Sequence, residues 1–205
     1  MCLNNPKEEF NSEYWQKCYS EGKTGWDIGY IATPLKEYFD QLTDKSIKIL
    51  VPGAGNAYEV EYLYRNNFKN TFLLDFASQS INDFFERFSM FPENQTINED
   101  FFQHNNKYDL IVELAFFSSL KPEIREKYVA KMYNLLNPGG KLIGLLFKHE
   151  FGNPFPPFGG TKIEYEELFG SKFIIQKMEL AYNSIKPRAN RELFIILEKM
   201  NMHEL

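Results

Sequence analysis

The stretch I-K-I-L-V-P-G-A-G-N at residues 47–56 decides the fold of this chain. An apolar run typical of a buried β-strand ends in a proline, and two glycines follow at Gly53 and Gly55. Glycines let the backbone approach a ligand where a Cβ would clash, and the free N–H groups of a following helix face polar or anionic atoms. The arrangement is typical of a nucleotide-like site in an open α/β sheet, although two glycines alone are weak evidence.

Strand-like and helix-like segments alternate on both sides of this turn. Each predicted strand is a short apolar or β-branched run, and each predicted helix carries apolar side chains at a spacing of three or four residues. Two final strands follow one another without a helix between them. This order predicts an α/β fold with a mostly parallel seven-stranded sheet, helices on both faces and an antiparallel hairpin at one edge. The predicted strands span residues 47–51, 71–74, 95–99, 108–115, 141–147, 173–178 and 193–197.

Composition narrows the class of protein and of partner. A length of 205 residues suits one domain, and 43% apolar with 25% charged residues is ordinary for a globular chain. A net charge of −5 argues against binding to a nucleic-acid backbone, and no apolar run is long enough to span a membrane. No secretion signal is recognised, and Cys2 and Cys18 make no disulfide framework. We therefore expect a cytoplasmic monomer with reduced thiols that acts on a small molecule.

Acidic residues follow the predicted strands at the edge where such folds bind ligands. Asp75 lies 22 residues after Gly53, where a carboxylate can accept hydrogen bonds from both ribose hydroxyls. The alternative is a helix N-cap. Asp100 and Phe101 end the third strand, where an acid can bind an adenine amino group and a ring can pack on the base. A solvated acidic turn is an equally good interpretation of that pair.

Tyr58 stands where a dinucleotide-binding turn would usually have its third glycine. A larger side chain is acceptable there when the ligand carries no pyrophosphate. The turn therefore favours a nucleoside ligand without phosphates over a dinucleotide.

With these residues in order, the sequence resembles the class I S-adenosylmethionine-dependent methyltransferases. It is most similar to the thiopurine S-methyltransferase superfamily, in particular its branch of thiol and halide methyltransferases. The resemblance rests on L-V-P-G-A-G at residues 50–55, E-L-A-F-F at 113–117, N-P-G-G at 137–140 and the spaced aromatics Trp15, Tyr19 and Trp26. It covers residues 14–192 and implies a single domain over residues 1–205, with amino-terminal helices and a lid at 1–45 and a Rossmann-like core at 46–205.

The resemblance also implies a site for S-adenosylmethionine. Its aromatic cover, its glycine turn, its acidic contacts and the end of its fourth strand correspond here to Trp15, Tyr19, Trp26, Gly53, Gly55, Asp75, Asp100, Phe101, Glu113 and Leu114. In this sequence Tyr19 replaces a tryptophan, Ala54 a cysteine and Leu114 a tyrosine. Simple core packing is the alternative interpretation of Trp15, Tyr19 and Trp26, but a sulfonium cation favours aromatic faces.

The methyl acceptor is expected in an apolar pocket formed by Phe116, Phe117, Phe155 and Phe158, the last two on a proline- and glycine-rich loop. A plain surface connector is the alternative interpretation of that loop. Apolar walls suit a soft nucleophile: a thiol, a thiopurine-like compound or a halide-like anion.

No side chain is assigned a catalytic or metal-binding role. His104, His149 and His203 look like surface or loop residues, and Cys18 like helix packing. Arg191 could assist an anionic acceptor or pair with a nearby acid, and the structural role is favoured. The alternatives for the whole chain are a nicotinamide-dependent oxidoreductase and a non-catalytic S-adenosylmethionine-binding module.

Overall fold

A computed structural model describes residues 10–200, and within them seven strands form one mixed sheet in the order β3-β2-β1-β4-β5-β7-β6. The first five strands pair in parallel, and β7 pairs antiparallel with both β5 and β6. This confirms the predicted fold class, including the antiparallel edge hairpin. The strands are β1 (Ile49–Pro52), β2 (Thr71–Leu74), β3 (Thr96–Ile97), β4 (Tyr108–Leu114), β5 (Leu136–Phe147), β6 (Phe173–Leu180) and β7 (Glu192–Lys199).

Helices cover both faces of the sheet. Successive residues of a strand point to opposite faces, so each central strand contributes to two buried clusters. Leu50 and Ile111 belong to one buried cluster, while their neighbours Val51 and Leu110 belong to the other. The helices are α1 (Ser12–Ser20), α2 (Thr33–Asp40), α3 (Tyr58–Arg65), α4 (Ser78–Arg87), α5 (Phe116–Ser119), α6 (Arg125–Leu135) and α7 (Lys162–Gly170).

Side chains cap α1 and α7 among the described helices. Thr161 and Glu164 form a capping box at the start of α7. Asn11 caps α1 by accepting a hydrogen bond from the N–H of Tyr14. Asn56 and Glu59 have the sequence spacing of a capping box, but Ala57 adopts a left-handed conformation before α3 and no side chain caps that helix.

Two further expectations concern the state of the cysteines and helices that could span a membrane. Cys18 is fully buried on α1 and does not carry a free thiol, which corrects the expectation of reduced cysteines. Cys2 lies outside the described residues. Within residues 10–200, no helix is long and apolar enough to cross a membrane.

Gly144 lets β5 lie directly beside β4, where it pairs with Glu113. A Cβ at Gly144 would lie 2.4 Å from the carbonyl oxygen of Glu113. We expect Gly144→Ala to lower the free energy of unfolding by about 1–3 kcal/mol through overpacking, as measured by urea denaturation.

Gly170→Ala is the matched control, because nothing lies within 4 Å of a Cβ built at the last residue of α7. Equal losses in the two variants would contradict the assignment of the effect to the contact between β4 and β5.

Candidate active site

The two glycines after β1 are required for different reasons. Both adopt left-handed conformations, with φ of 58° at Gly53 and 54° at Gly55. A Cβ at Gly53 would lie 2.5 Å from the ring of Phe116, whereas a Cβ at Gly55 would lie 2.7 Å from the hydroxyl of Tyr19. The first glycine therefore makes room for a side chain from the end of β4, and the second for the aromatic side chain above the turn.

Asp75 joins the end of β2 to this turn. Its Oδ2 accepts a hydrogen bond from the N–H of Gly55 at 2.9 Å, and its Oδ1 accepts one from the N–H of Ala77 at 2.9 Å. Burial raises the pKa of Asp75, because the surroundings disfavour the charged form. The N–H of Phe76 and the hydroxyl of Ser80 also interact with this carboxylate, which has about four lone-pair sites in all. Asp75 is thus both a structural tie and a wall of the cavity described next.

A cavity of about 830 Å³ opens at the carboxyl ends of β1, β2 and β4. That volume lies in the range of small-molecule sites. The structure brings ten of the predicted site residues to its wall: Trp15, Tyr19, Trp26, Gly53, Gly55, Asp75, Asp100, Phe101, Leu114 and Phe116.

An aromatic cover, formed by Trp15, Tyr19 and Trp26, closes one side of the cavity. The Trp26 ring meets the rings of Trp15 and Tyr19 edge-on, with centroids 5.2 Å and 5.6 Å apart. Burial and the negative charge of Asp75 raise the pKa of Tyr19, so its hydroxyl stays neutral at physiological pH. The helix that carries Trp15 and Tyr19 is tied to the core, since Ser12 Oγ donates to the carbonyl of Phe76 at 2.9 Å.

The loop after β3 also lines the cavity. Phe101 is buried against Phe116, with ring centroids 5.1 Å apart, while Asp100 is exposed and accepts a hydrogen bond from the N–H of Phe102. His104 lies in this loop, as the sequence led us to expect, but it is a buried residue rather than a surface one. Its Nδ1 lies 2.5 Å from Glu99 Oε1, and its Nε2 lies 2.8 Å from the hydroxyl of Tyr108.

Four predicted site residues lie away from the cavity wall. Phe117 is buried in the core, and Phe158 packs on the ring of Phe10 with centroids 5.9 Å apart. The wall includes Pro156 and Pro157 of the predicted loop, together with Phe147 and Phe151, which sequence reasoning missed. Phe147 is the last residue of β5, so the rule that selected Asp75 at a strand end could have found it. The residues off the wall are Glu113, Phe117, Phe155 and Phe158.

Two arginines before β7, Arg188 and Arg191, both line the cavity. Arg188, not Arg191, pairs with the acid Glu192, at 3.2 Å. Arg191 lies on the cavity wall, and its Nη2 is 2.8 Å from Nε2 of His149. Burial and the nearby charges of Arg191 and Lys148 lower the pKa of His149, which favours the neutral ring. His203 lies outside the described residues.

Glu113 lies in the core behind the cavity wall and holds the backbone of that wall in position. It is fully buried, its Oε2 accepts a hydrogen bond from the Tyr128 hydroxyl at 2.5 Å, and its Oε1 accepts one from the N–H of Phe117 at 2.8 Å. These bonds fix the turn at Ala115, whose left-handed conformation directs Phe116 against Gly53. Its predicted contact with a cofactor is therefore corrected to a supporting role, since both carboxylate oxygens point into the core.

Burial raises the pKa of Glu113 to about 7. A raised carboxyl pKa stabilises the folded state at low pH, and this stabilisation is lost as the pH rises through the folded-state value. We expect the wild type to lose about 2–3 kcal/mol of stability relative to Glu113→Gln between pH 5 and pH 8. Urea denaturation of both proteins at the two pH values measures this difference.

Glu126→Gln provides the control, because Glu126 is an exposed residue of α6, the helix that carries Tyr128. Its stability relative to wild type should not depend on pH in this range. A constant difference between wild type and Glu113→Gln would contradict the ionisation of a buried carboxyl.

Comparisons with known proteins agree with this geometry. The sequence profile described as "Thiopurine S-methyltransferase (TPMT)" matches residues 10–203. A "Probable thiol methyltransferase 2" of Arabidopsis thaliana is 29% identical over 165 residues, which cover 78% of this chain and 73% of the relative. A "Thiopurine S-methyltransferase" of Vibrio vulnificus is 23% identical, with 80% of this chain and 83% of the relative covered.

Solved structures share the fold. A Burkholderia thailandensis 1,6-didemethyltoxoflavin-N1-methyltransferase, with S-adenosylhomocysteine bound, superposes with a TM-score of 0.76 at 16% identity and covers 97% of this chain and 92% of its own. TehB from Haemophilus influenzae superposes with a TM-score of 0.65 at 18% identity, over 90% of this chain and 67% of its own.

The profile match spans nearly the whole sequence, and the cavity lies where this fold binds its ligand. The chain therefore belongs to the thiopurine S-methyltransferase family and is an S-adenosylmethionine-dependent methyltransferase.

Proposed function

We propose that this enzyme methylates a small, soft nucleophile, which is a thiol, a thiopurine-like compound or a halide-like anion. The observation that carries the proposal is one cavity whose wall combines a glycine turn and acidic residues with apolar aromatic side chains. Its relatives are named as thiol, thiocyanate and thiopurine methyltransferases, which supports this acceptor class. A cytoplasmic location and a monomeric state, expected from the sequence, are part of the proposal.

The glycine turn and the residues around it would hold S-adenosylmethionine. Gly53 and Gly55 would approach its methionine end, and Asp75 would accept hydrogen bonds from the ribose hydroxyls. Asp100 and Phe101 would hold the adenine. The aromatic cover suits a sulfonium, because ring faces attract cations. Leu114 would make an apolar contact where related enzymes have a tyrosine.

The acceptor would bind at the end of the cavity lined by Phe116, Phe147, Phe151 and the prolines of the 152–160 loop. Apolar walls favour a polarisable nucleophile over a strongly hydrated one. Arg191 lies on the same wall and supplies a positive charge for an acceptor that reacts as an anion.

The cofactor supplies an activated methyl group, so this chain must align the acceptor and exclude water. The aromatic cover shields the reacting end of the cavity. A thiolate or halide already carries the electron pair that attacks the methyl carbon. These side chains therefore act through position and shielding rather than through proton transfer.

The family assignment replaces the nicotinamide-dependent oxidoreductase considered from the sequence. The other alternative, a non-catalytic binding module, is distinguished from an enzyme by measuring turnover. Incubation with methyl-labelled S-adenosylmethionine and a panel of organic thiols, thiopurines, thiocyanate and halides tests the proposal. Transfer to at least one member is expected, and tight binding of S-adenosylhomocysteine without transfer to any member would contradict it.

Asp75→Ala tests the placement of the ribose. Loss of hydrogen bonds to a charged group should weaken S-adenosylhomocysteine binding by about 1.5–3 kcal/mol, as measured by calorimetric titration. Asp44→Ala is the control, because Asp44 lies in an exposed turn before β1 and bonds only locally to Ser46. Unchanged affinity in Asp75→Ala would show that the ribose binds elsewhere.

A further inference from the structure

The guanidinium of Arg188 connects two parts of the chain that are far apart in sequence. Its Nη2 donates to the carbonyl of Trp26 at 2.6 Å, and its Nη1 lies 3.2 Å from Oε1 of Glu192 at the start of β7. The side chains of Arg188 and Glu192 are only 12% and 4% exposed. This is therefore a shielded contact, and solvent screens it less than a surface ion pair.

The Arg188 contact acts on the segment that carries part of the aromatic cover. Residues 21–32 are named the cover loop here. Hydrogen bonds join the later part of this loop to α3 and to the turn before α3. Asn56 Nδ2 donates to Asp27 Oδ2 at 2.5 Å, and Glu59 Oε1 accepts from the N–H of Ala32 at 3.1 Å. Arg188 ties the same loop to Glu192 at the start of β7, directly at Trp26.

The position of Trp26 matters because its ring orders the other two members of the cover. It lies edge-on to Trp15 and to Tyr19, and the Tyr19 hydroxyl closes over Gly55. A shift of the Trp26 backbone would move the ring that both neighbours pack against. The cover would then shield the cavity less well.

Arginine is suited to this contact for a geometric reason. Its planar fork presents two nitrogens at once, one to the carbonyl and one to the carboxylate, while Phe147 lies 5.6 Å away by ring centroid. A lysine could keep the charge pairing with Glu192 but offers a single nitrogen on a flexible stem. It would not hold both partners in this geometry.

We propose that Arg188 is a positioning residue that holds the cover loop closed over the cavity by linking the Trp26 carbonyl to Glu192. Through Arg188, the Trp26 carbonyl is anchored to the start of β7. The consequence of this anchor for cofactor affinity rests on the proposed function, whereas its consequence for the tryptophans does not.

The test compares Arg188→Lys with wild type. Trp15 and Trp26 are the only tryptophans of the sequence, so intrinsic fluorescence reports on the cover. In the protein without added ligand, we expect Arg188→Lys to show a red-shifted emission and stronger acrylamide quenching. With S-adenosylhomocysteine in calorimetry, we expect Kd to rise about tenfold, the effect of one charged hydrogen bond.

Lys162→Gln is the control, because Lys162 forms an exposed pair with Glu166 on α7, and neither residue lines the cavity. It should leave quenching and Kd unchanged. Wild-type quenching in Arg188→Lys would overturn the proposal. If that variant does not fold, Glu192→Gln decides, since it removes the charge partner of Arg188, and unchanged quenching there would likewise overturn it.

The two proposals fail in distinguishable ways. If wild-type protein does not bind S-adenosylhomocysteine, the cofactor placement is wrong. The quenching comparison would still decide the role of Arg188, because it uses no ligand.

Discussion

The carboxylate of Asp75 is the interaction on which the site depends. Its two oxygens accept from the N–H groups of Gly55 and Ala77, so one side chain fixes the turn after β1 and the residues leading into α4. Both segments leave the sheet at the same edge, where Asp75 is a shared acceptor for their N–H groups. Burial removes the Asp75 carboxyl from water, and this desolvation raises its pKa.

Around this tie, buried polar side chains set the positions of apolar ones. Glu113 holds the turn that presses Phe116 against Gly53, and Glu59 accepts from the N–H at the start of α2. Each lies behind the cavity or at its rim rather than serving as a reactive group. The chemistry assigned to this family needs alignment and exclusion of water, and a wall fixed by buried hydrogen bonds supplies both.

The alternation of strands and helices could be predicted because hydrophobic periodicity reports directly on burial. The acidic and glycine residues at strand ends could be placed for the same reason, since parallel strands end at one edge. Local capping was less predictable: Glu59 has the spacing of a capping residue for α3, but its carboxylate bonds to Ala32, 27 residues away. A contact over that distance leaves no trace in local spacing.

The sequence by itself determined the fold, the family and the edge of the sheet where the ligand site lies, because these depend on local patterns and short motifs. Only the tertiary structure decided which side chains face the cavity. Glu113 and Phe117 turn into the core, Phe147 and Phe151 replace Phe155 and Phe158 on the wall, and Arg188 rather than Arg191 pairs with Glu192. The direction of a side chain after a strand ends depends on a few backbone dihedrals and on distant packing partners, which adjacent residues do not specify.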